Sequence, residues 1–242
     1  ENGFSPTSIV TDGPISLSQG PGMPMWSPQN YSNDFLGPVP LRMGLEKSRN
    51  AMTVRLAVAL GIDRIIEMGQ RFGIYGEEAP RNFSIVLGAI ETTLLKITNA
   101  YGIVANGGME VKPIFVERVQ DRYGKTIFKW DERACVLCNE TSGSLEPDHP
   151  PALEDTRKRI VDEQVDYQLT SMLTGVVERG TAVRAKVLKR PVGGKTGTTN
   201  DSNDTWFVGF TPDLVVGTYV GYDRPKSLGK KETGASVALP IF

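Results

Sequence analysis

The sequence predicts an α+β fold, and three observations carry that prediction. Apolar residues recur at steps of three and four over 84–106 and again after Asp162, as amphipathic helices require. Trp206-Phe207-Val208-Gly209-Phe210 is a β-branched and aromatic run, and a second such run follows Thr211-Pro212-Asp213. The connection between those runs is short, so they are expected to pair antiparallel.

Taken in order, residues 1–40 are rich in Pro, Gly, Ser and Asn. Pro21 to Pro28 reads as extended surface chain, with Trp26 and Tyr31 expected to pin it to the body. Pro40-Leu41-Arg42 opens a helix with Leu41 and Leu45 on one face, and Ser48-Arg49-Asn50 interrupts it. A helix from about Met52 to Leu60 ends at Gly61, and a third opens at Asp63 and closes at Phe72-Gly73. Over 84–106, Val86, Ile90, Leu94, Ile97, Tyr101 and Val104 predict one buried central helix, stopped by Asn106-Gly107-Gly108. Ile114–Val119 and Thr126–Trp130 predict a hairpin. Residues 131–160 are charged and proline-bearing without a period, and are expected to form an exposed insertion in a single domain spanning 1–242. Asp162 is expected to cap a helix lined by Val165, Leu169, Leu173 and Val176, ended by Gly180.

Composition bounds the function. At 39% apolar the 242 residues can bury a core. A net charge of −1 with mixed signs leaves no nucleic-acid footprint. The best apolar run, Val54–Ile62, is too short for a bilayer and contains Arg55. Glu1 opens directly on polar and loop residues, so no signal peptide is expected and the chain looks cut at its start. The apolar end, Leu239-Pro240-Ile241-Phe242, is expected to lack its packing partner. Cys135 and Cys138 form a Cys-x-x-Cys, and the single histidine is His149. That is too little for an intrachain zinc site, so no metal is expected. A small disulfide loop in an oxidising compartment is the favoured reading.

Chemistry concentrates in Gly193-Gly194-Lys195-Thr196-Gly197-Thr198-Thr199. On a strand beside a cleft, the ammonium would neutralise a carboxylate, the hydroxyls would donate to it, and Gly197 would allow close approach. A phosphate-binding loop also ends in Gly-Lys-Thr. It needs a glycine where Lys189 stands and a helix where a strand is expected. A solvated hairpin end fits the same residues. The second polar constellation, Ser48-x-Asn50, lies between helices; Asn50 could equally cap the helix that follows, and Ser48 satisfy a helix end.

Together these constellations resemble the transpeptidase domain of bifunctional, class A, 1A-like penicillin-binding proteins, whose superfamily signature joins Ser-x-x-Lys, a Ser-x-Asn-type motif and Lys-Thr-Gly. Leu45-Glu46-Lys47-Ser48-Arg49-Asn50, Tyr101-Gly102-Ile103-Val104-Ala105-Asn106-Gly107-Gly108, the Lys195 segment and Trp206-Phe207-Val208-Gly209-Phe210-Thr211-Pro212 all carry the likeness. The resemblance implies a penicillin-binding/β-lactamase-like fold, an antiparallel sheet with helices on both faces, here incomplete at the N-terminus. It implies acyl transfer through a serine, no cofactor, peptidoglycan stem peptides ending in D-Ala-D-Ala as substrates, and β-lactams as inhibitors. The parent protein would be anchored in the inner membrane and face the periplasm. By the same resemblance Ser48 relays a proton, Asn50 orients the substrate amide, Lys195 supplies the site's positive charge and helps bind the substrate carboxylate, the Thr196 and Thr198 hydroxyls bind that carboxylate, and Gly197 lets the substrate approach the strand.

The first motif departs from this pattern. The sole Ser-x-x-Lys match is Ser227-Leu228-Gly229-Lys230, which follows Lys195 instead of preceding Ser48 and lies in a glycine-containing loop. It is read as chance, so no nucleophile is expected within the chain, which by itself should be inactive. A serine β-lactamase, a D,D-carboxypeptidase, and a non-catalytic binding or scaffold module remain as alternatives.

Overall fold

The strand that carries Lys195 is an edge of a three-stranded antiparallel sheet in the computed structural model, which describes residues 3–18, 20–133 and 153–242. Those residues divide into two units, Glu1–Met109 with Arg159–Phe242, and Glu110–Lys158.

The first unit opens with strands β1 (Ile9–Asp12) and β2 (Gly37–Pro40), which pair antiparallel from Ile9 opposite Pro40 to Asp12 opposite Gly37. The sequence reading missed both. They are short, and the two prolines of β2 mask a strand, although proline is tolerated on a sheet edge. Between them Trp26 bridges to Leu17, but Tyr31 is 69% exposed and pins nothing. Asn30, 2% exposed, is the buried polar residue among those described in this stretch.

Helices α1 (Leu41–Glu46), α2 (Asn50–Leu60) and α3 (Ile62–Arg71) follow as the pattern predicts. The expected helix over 84–106 is interrupted. Phe83–Leu87 is a 3-10 turn, Gly88 is left-handed, and α4 spans only Leu94–Ala105. Periodicity reports a face and is silent about a break in the backbone. The Thr93 hydroxyl, which accepts from Lys96 N–H at 3.2 Å, offers a competing helix start. Nor is α4 central: Leu94 and Leu95 are exposed, and only Ala100, Ile103 and Val104 are buried.

Helix α5 (Glu163–Arg179) begins at Asp162, whose carboxylate accepts from Gln164 N–H at 2.9 Å, and ends at Gly180. A 3-10 turn, Val183–Leu188, leads into strand β5 (Gly193–Thr198). Strands β6 (Asp204–Phe210) and β7 (Val215–Gly221) complete the sheet. Lys195 lies opposite Val208, and Gly197 opposite Trp206.

Alternation along β6 sends Phe207 and Phe210 to opposite faces. Phe207 is fully buried against Val176, Ala182, Ala185 and Leu239, burial that stabilises by about 2–3 kcal/mol. Phe210 packs with Val104 of α4 and Leu173 of α5. The fold is therefore α+β with helices on both faces of an antiparallel sheet. A π-helical turn, Gly234–Ala238, runs into α6 (Leu239–Ile241). The apolar end has the partner it was expected to lack: Leu239 is buried and the Phe242 ring meets Phe207 edge-on at 4.8 Å.

The unit Glu110–Lys158 contains the predicted hairpin, strands β3 (Arg118–Gln120) and β4 (Thr126–Lys129), with Val119 opposite Phe128. Its turn is organised by Asp121, whose carboxylate accepts from Tyr123 N–H at 2.8 Å and Lys125 N–H at 2.9 Å.

Candidate functional site

Helix α1 ends in a turn that aims a serine outward. Arg49 N–H donates to Gly44 O at 2.8 Å and Ser48 N–H to Leu45 O at 3.2 Å, the paired closure of a Schellman motif. Ser48 fills the left-handed position of that motif, φ +55°, where glycine is usual. A non-glycine residue held there is a reason to look for function.

The turn is fastened on two sides. Arg49 is 7% exposed and reaches back into the N-terminal segment. Its guanidinium donates to Asp12 at 2.7 Å, Ser32 Oγ at 2.9 Å and the Asp34 carboxylate at 2.8 Å. The Ser32 hydroxyl, then Arg49, hold the Asp34 carboxyl below its usual range. Asn30 joins the cluster by donating to Asp12 at 2.9 Å and accepting the α2 amide of Ala51 at 3.2 Å. On the other side Glu46 is fully buried, with Arg42 Nε at 3.0 Å and Arg179 bidentate at 2.8 and 2.5 Å. Gly175 of α5 makes room for it, since a Cβ there would lie 2.2 Å from Glu46 Oε1.

Lys195 meets this turn from the sheet. Its ammonium donates to Ser48 Oγ at 2.7 Å and to Thr196 O at 2.9 Å. Burial pushes the amine down to about 8 from an ordinary 10.5, because the charged form loses water. Asn50, the first residue of α2, spends its Nδ2 on Gln29 O at 2.9 Å. The Thr196 hydroxyl lies 2.7 Å from that of Thr181, and the Thr198 hydroxyl accepts from Gly234 N–H at 3.0 Å. Gly197 lies between them, opposite Trp206.

The structure thus joins Ser48 directly to Lys195 and carries Thr196, Gly197 and Thr198 on the same strand. A phosphate loop is excluded, because β5 runs on past Lys195 and only a three-residue 3-10 turn, Asn200–Ser202, separates it from β6. Ser227 is elsewhere engaged: its hydroxyl donates to Asp201 O at 2.7 Å, outside any helix. The expected Cys135–Cys138 pair lies outside the described residues.

Sequence reasoning missed Thr181, Arg49, Asp12, Asn30 and Glu46. Arg49 stood between two residues already singled out, which was the available signal. The partners of the others are too distant along the chain for any spacing rule. Chemically the arrangement can present an ammonium, a serine hydroxyl and two threonine hydroxyls to an anion.

The family model described as penicillin binding protein transpeptidase domain matches residues 1–242. The chain is 55% identical over all its 242 residues to penicillin-binding protein 1A of Rickettsia bellii, covering 30% of that protein. It is 39% identical to penicillin-binding protein 1A of Pseudomonas aeruginosa, covering 33% of it. The crystal structure of penicillin-binding protein 1A from Haemophilus influenzae superposes with a TM-score of 0.83 at 34% identity, over 99% of this chain and 38% of that one. The chain therefore spans about a third of the length of these relatives.

Proposed function

This chain belongs to the penicillin-binding protein transpeptidase family, and from that premise we propose that it carries the Ser-x-Asn and Lys-Thr-Gly walls of a peptidoglycan D,D-transpeptidase site. The observation that carries the proposal is the 2.7 Å contact between Lys195 Nζ and Ser48 Oγ, which brings the two motifs to one place.

The reaction is acyl transfer through a serine. A serine outside residues 1–242, deprotonated by the lysine one turn after it, attacks the penultimate D-Ala carbonyl of a stem peptide. The negative charge forms on the carbonyl oxygen, and the Thr198 N–H is one of its two donors. Collapse breaks the peptide bond, and the departing D-Ala nitrogen takes its proton through the Ser48 hydroxyl. The amine of a second stem then attacks the acyl-serine, and the serine regains its proton.

Lys195 holds Ser48 in place and, with the hydroxyls of Thr196 and Thr198, receives the terminal carboxylate. Asn50 orients the substrate amide, and Gly197 lets the substrate lie against the strand. A β-lactam enters the same receptor and stalls at the acyl-enzyme. Most of the insertion expected over 131–160, residues 134–152, lies outside the described residues. The longer protein is a bifunctional synthase with a glycosyltransferase domain, anchored in the inner membrane and facing the periplasm. Among the described residues no helix is long and apolar enough to cross a membrane.

A fluorescent penicillin tests this reading on the protein extended upstream by about thirty residues, roughly a helix and a strand. Stable labelling is expected. Rapid hydrolysis would assign a β-lactamase instead, and no labelling a scaffold. Residues 1–242 alone are expected to remain unlabelled.

A further inference from the structure

We propose that Thr181, which lies outside both motifs, is a positioning residue that orients the Thr196 hydroxyl so that the end of β5 offers donors only and selects a carboxylate. The proposal rests on the transpeptidase reading above and assigns to that site a determinant of its charge selectivity.

A hydroxyl carries one proton to donate and lone pairs to accept with. At Thr198 the accepting side is occupied by Gly234 N–H at 3.0 Å, which leaves the proton for a ligand. Gly234 is held against the strand closely enough that a Cβ would lie 2.3 Å from Trp206 O and 2.6 Å from Gly197 O. At Thr196 the corresponding partner is the Thr181 hydroxyl, 2.7 Å away. When Thr181 donates, the Thr196 proton is free to point at a ligand. In the reverse direction Thr196 spends its proton on Thr181 and presents a lone pair, which repels an anion. A carboxylate, which only accepts, draws the pair into the first arrangement. Lys195 reinforces it with positive charge.

Thr181 is built to hold this place. Its N–H donates to Glu46 O at 3.1 Å. Glu46 is locked by Arg42 and Arg179, and Lys47 Nζ donates to Arg179 O at 2.5 Å. Ser48, two residues past Glu46, returns to Lys195, whose ammonium also donates to Thr196 O at 2.9 Å. The contacts close a ring from Ser48 through Lys195, Thr196, Thr181 and Glu46 back to Ser48. The hydroxyl direction at Thr196 is thereby tied to the same framework that sets the Ser48–Lys195 contact.

The test measures second-order acylation of the protein extended upstream of residue 1 by a penicillin with its free carboxylate and by the matching carboxamide. The unsubstituted protein is expected to prefer the carboxylate. Thr181→Val keeps the shape and the backbone bond but removes the hydroxyl. It should lower acylation by the carboxylate compound about tenfold and change the carboxamide less than about twofold. Thr181→Ser should restore the preference. Equal loss with both compounds marks a structural role and overturns the proposal. So does no loss with either, or a serine variant that behaves like valine. If the unsubstituted protein reacts with neither compound, the transpeptidase reading itself fails and takes this proposal with it.

Discussion

Ser48 occupies the left-handed position that closes α1, and its hydroxyl receives the Lys195 ammonium at 2.7 Å. A residue whose backbone is unfavourable and whose side chain meets a motif 147 positions away is placed for its chemistry. Two substitutions separate those contributions. Ser48→Ala keeps the unfavourable backbone and loses the hydroxyl, whereas Ser48→Gly loses the hydroxyl and relieves the backbone. The glycine variant is expected to be more stable than the alanine variant by about 1 kcal/mol in urea denaturation. Equal stability of the two would show that the backbone carries no strain.

Lys195 gives a pH dependence of definite sign. Its amine titrates at about 8 in the fold and at 10.5 ordinarily, because burial disfavours the charge. Binding of a carboxylate ligand should therefore weaken as pH rises through about 8. Stability moves the other way. Below about pH 8 both states hold the proton and the fold bears the desolvation cost. Between there and 10.5 the unfolded chain binds more protons, so the Lys195 contribution to stability rises with pH. A Lys195→Met variant should lack that rise when denaturation midpoints are compared across the range.

The buried pair Arg49–Asp12 predicts non-additive mutants. Asp12 is fully buried and lies 2.7 Å from Arg49 Nε. Asp12→Ala leaves the nearly buried guanidinium with Asp34 as its one carboxylate partner, takes the acceptor from Asn30 Nδ2, and should cost about 3 kcal/mol. Replacing both, Asp12→Ala with Arg49→Met, should cost less than Asp12→Ala alone, as measured by a denaturation cycle.

Gly234→Ala forces a Cβ against the carbonyls of Trp206 and Gly197. The C-terminal turn must lift from β5, at a cost of about 2 kcal/mol. Faster hydrogen exchange at the Gly234 amide, which now donates to Thr198 Oγ1, is the readout. Unchanged exchange would mean that the turn tolerates the methyl group in place.

Local patterns carried much of the fold. The Asp162 cap, the Gly180 stop and the hairpin turn at Asp121 are formed by neighbours in sequence, and all three read correctly. The helix over 84–106 did not, because Val86 and Ile90 keep the helical period across a backbone break at Gly88. Strands β1 and β2 were hidden because their pairing depends on residues more than a local window apart.

The sequence alone settled the strand type of the Lys195 segment, the junction at Ser48 and the family likeness, since each depends on residue identity and short spacing. Which hydroxyls face one another was decided only in three dimensions. Thr181 meets Thr196 because the Glu46 carboxylate, held within α1 by Arg42, draws the end of α5 to the end of α1 through Arg179. Such contacts depend on packing between distant segments, and no periodicity along the chain encodes them.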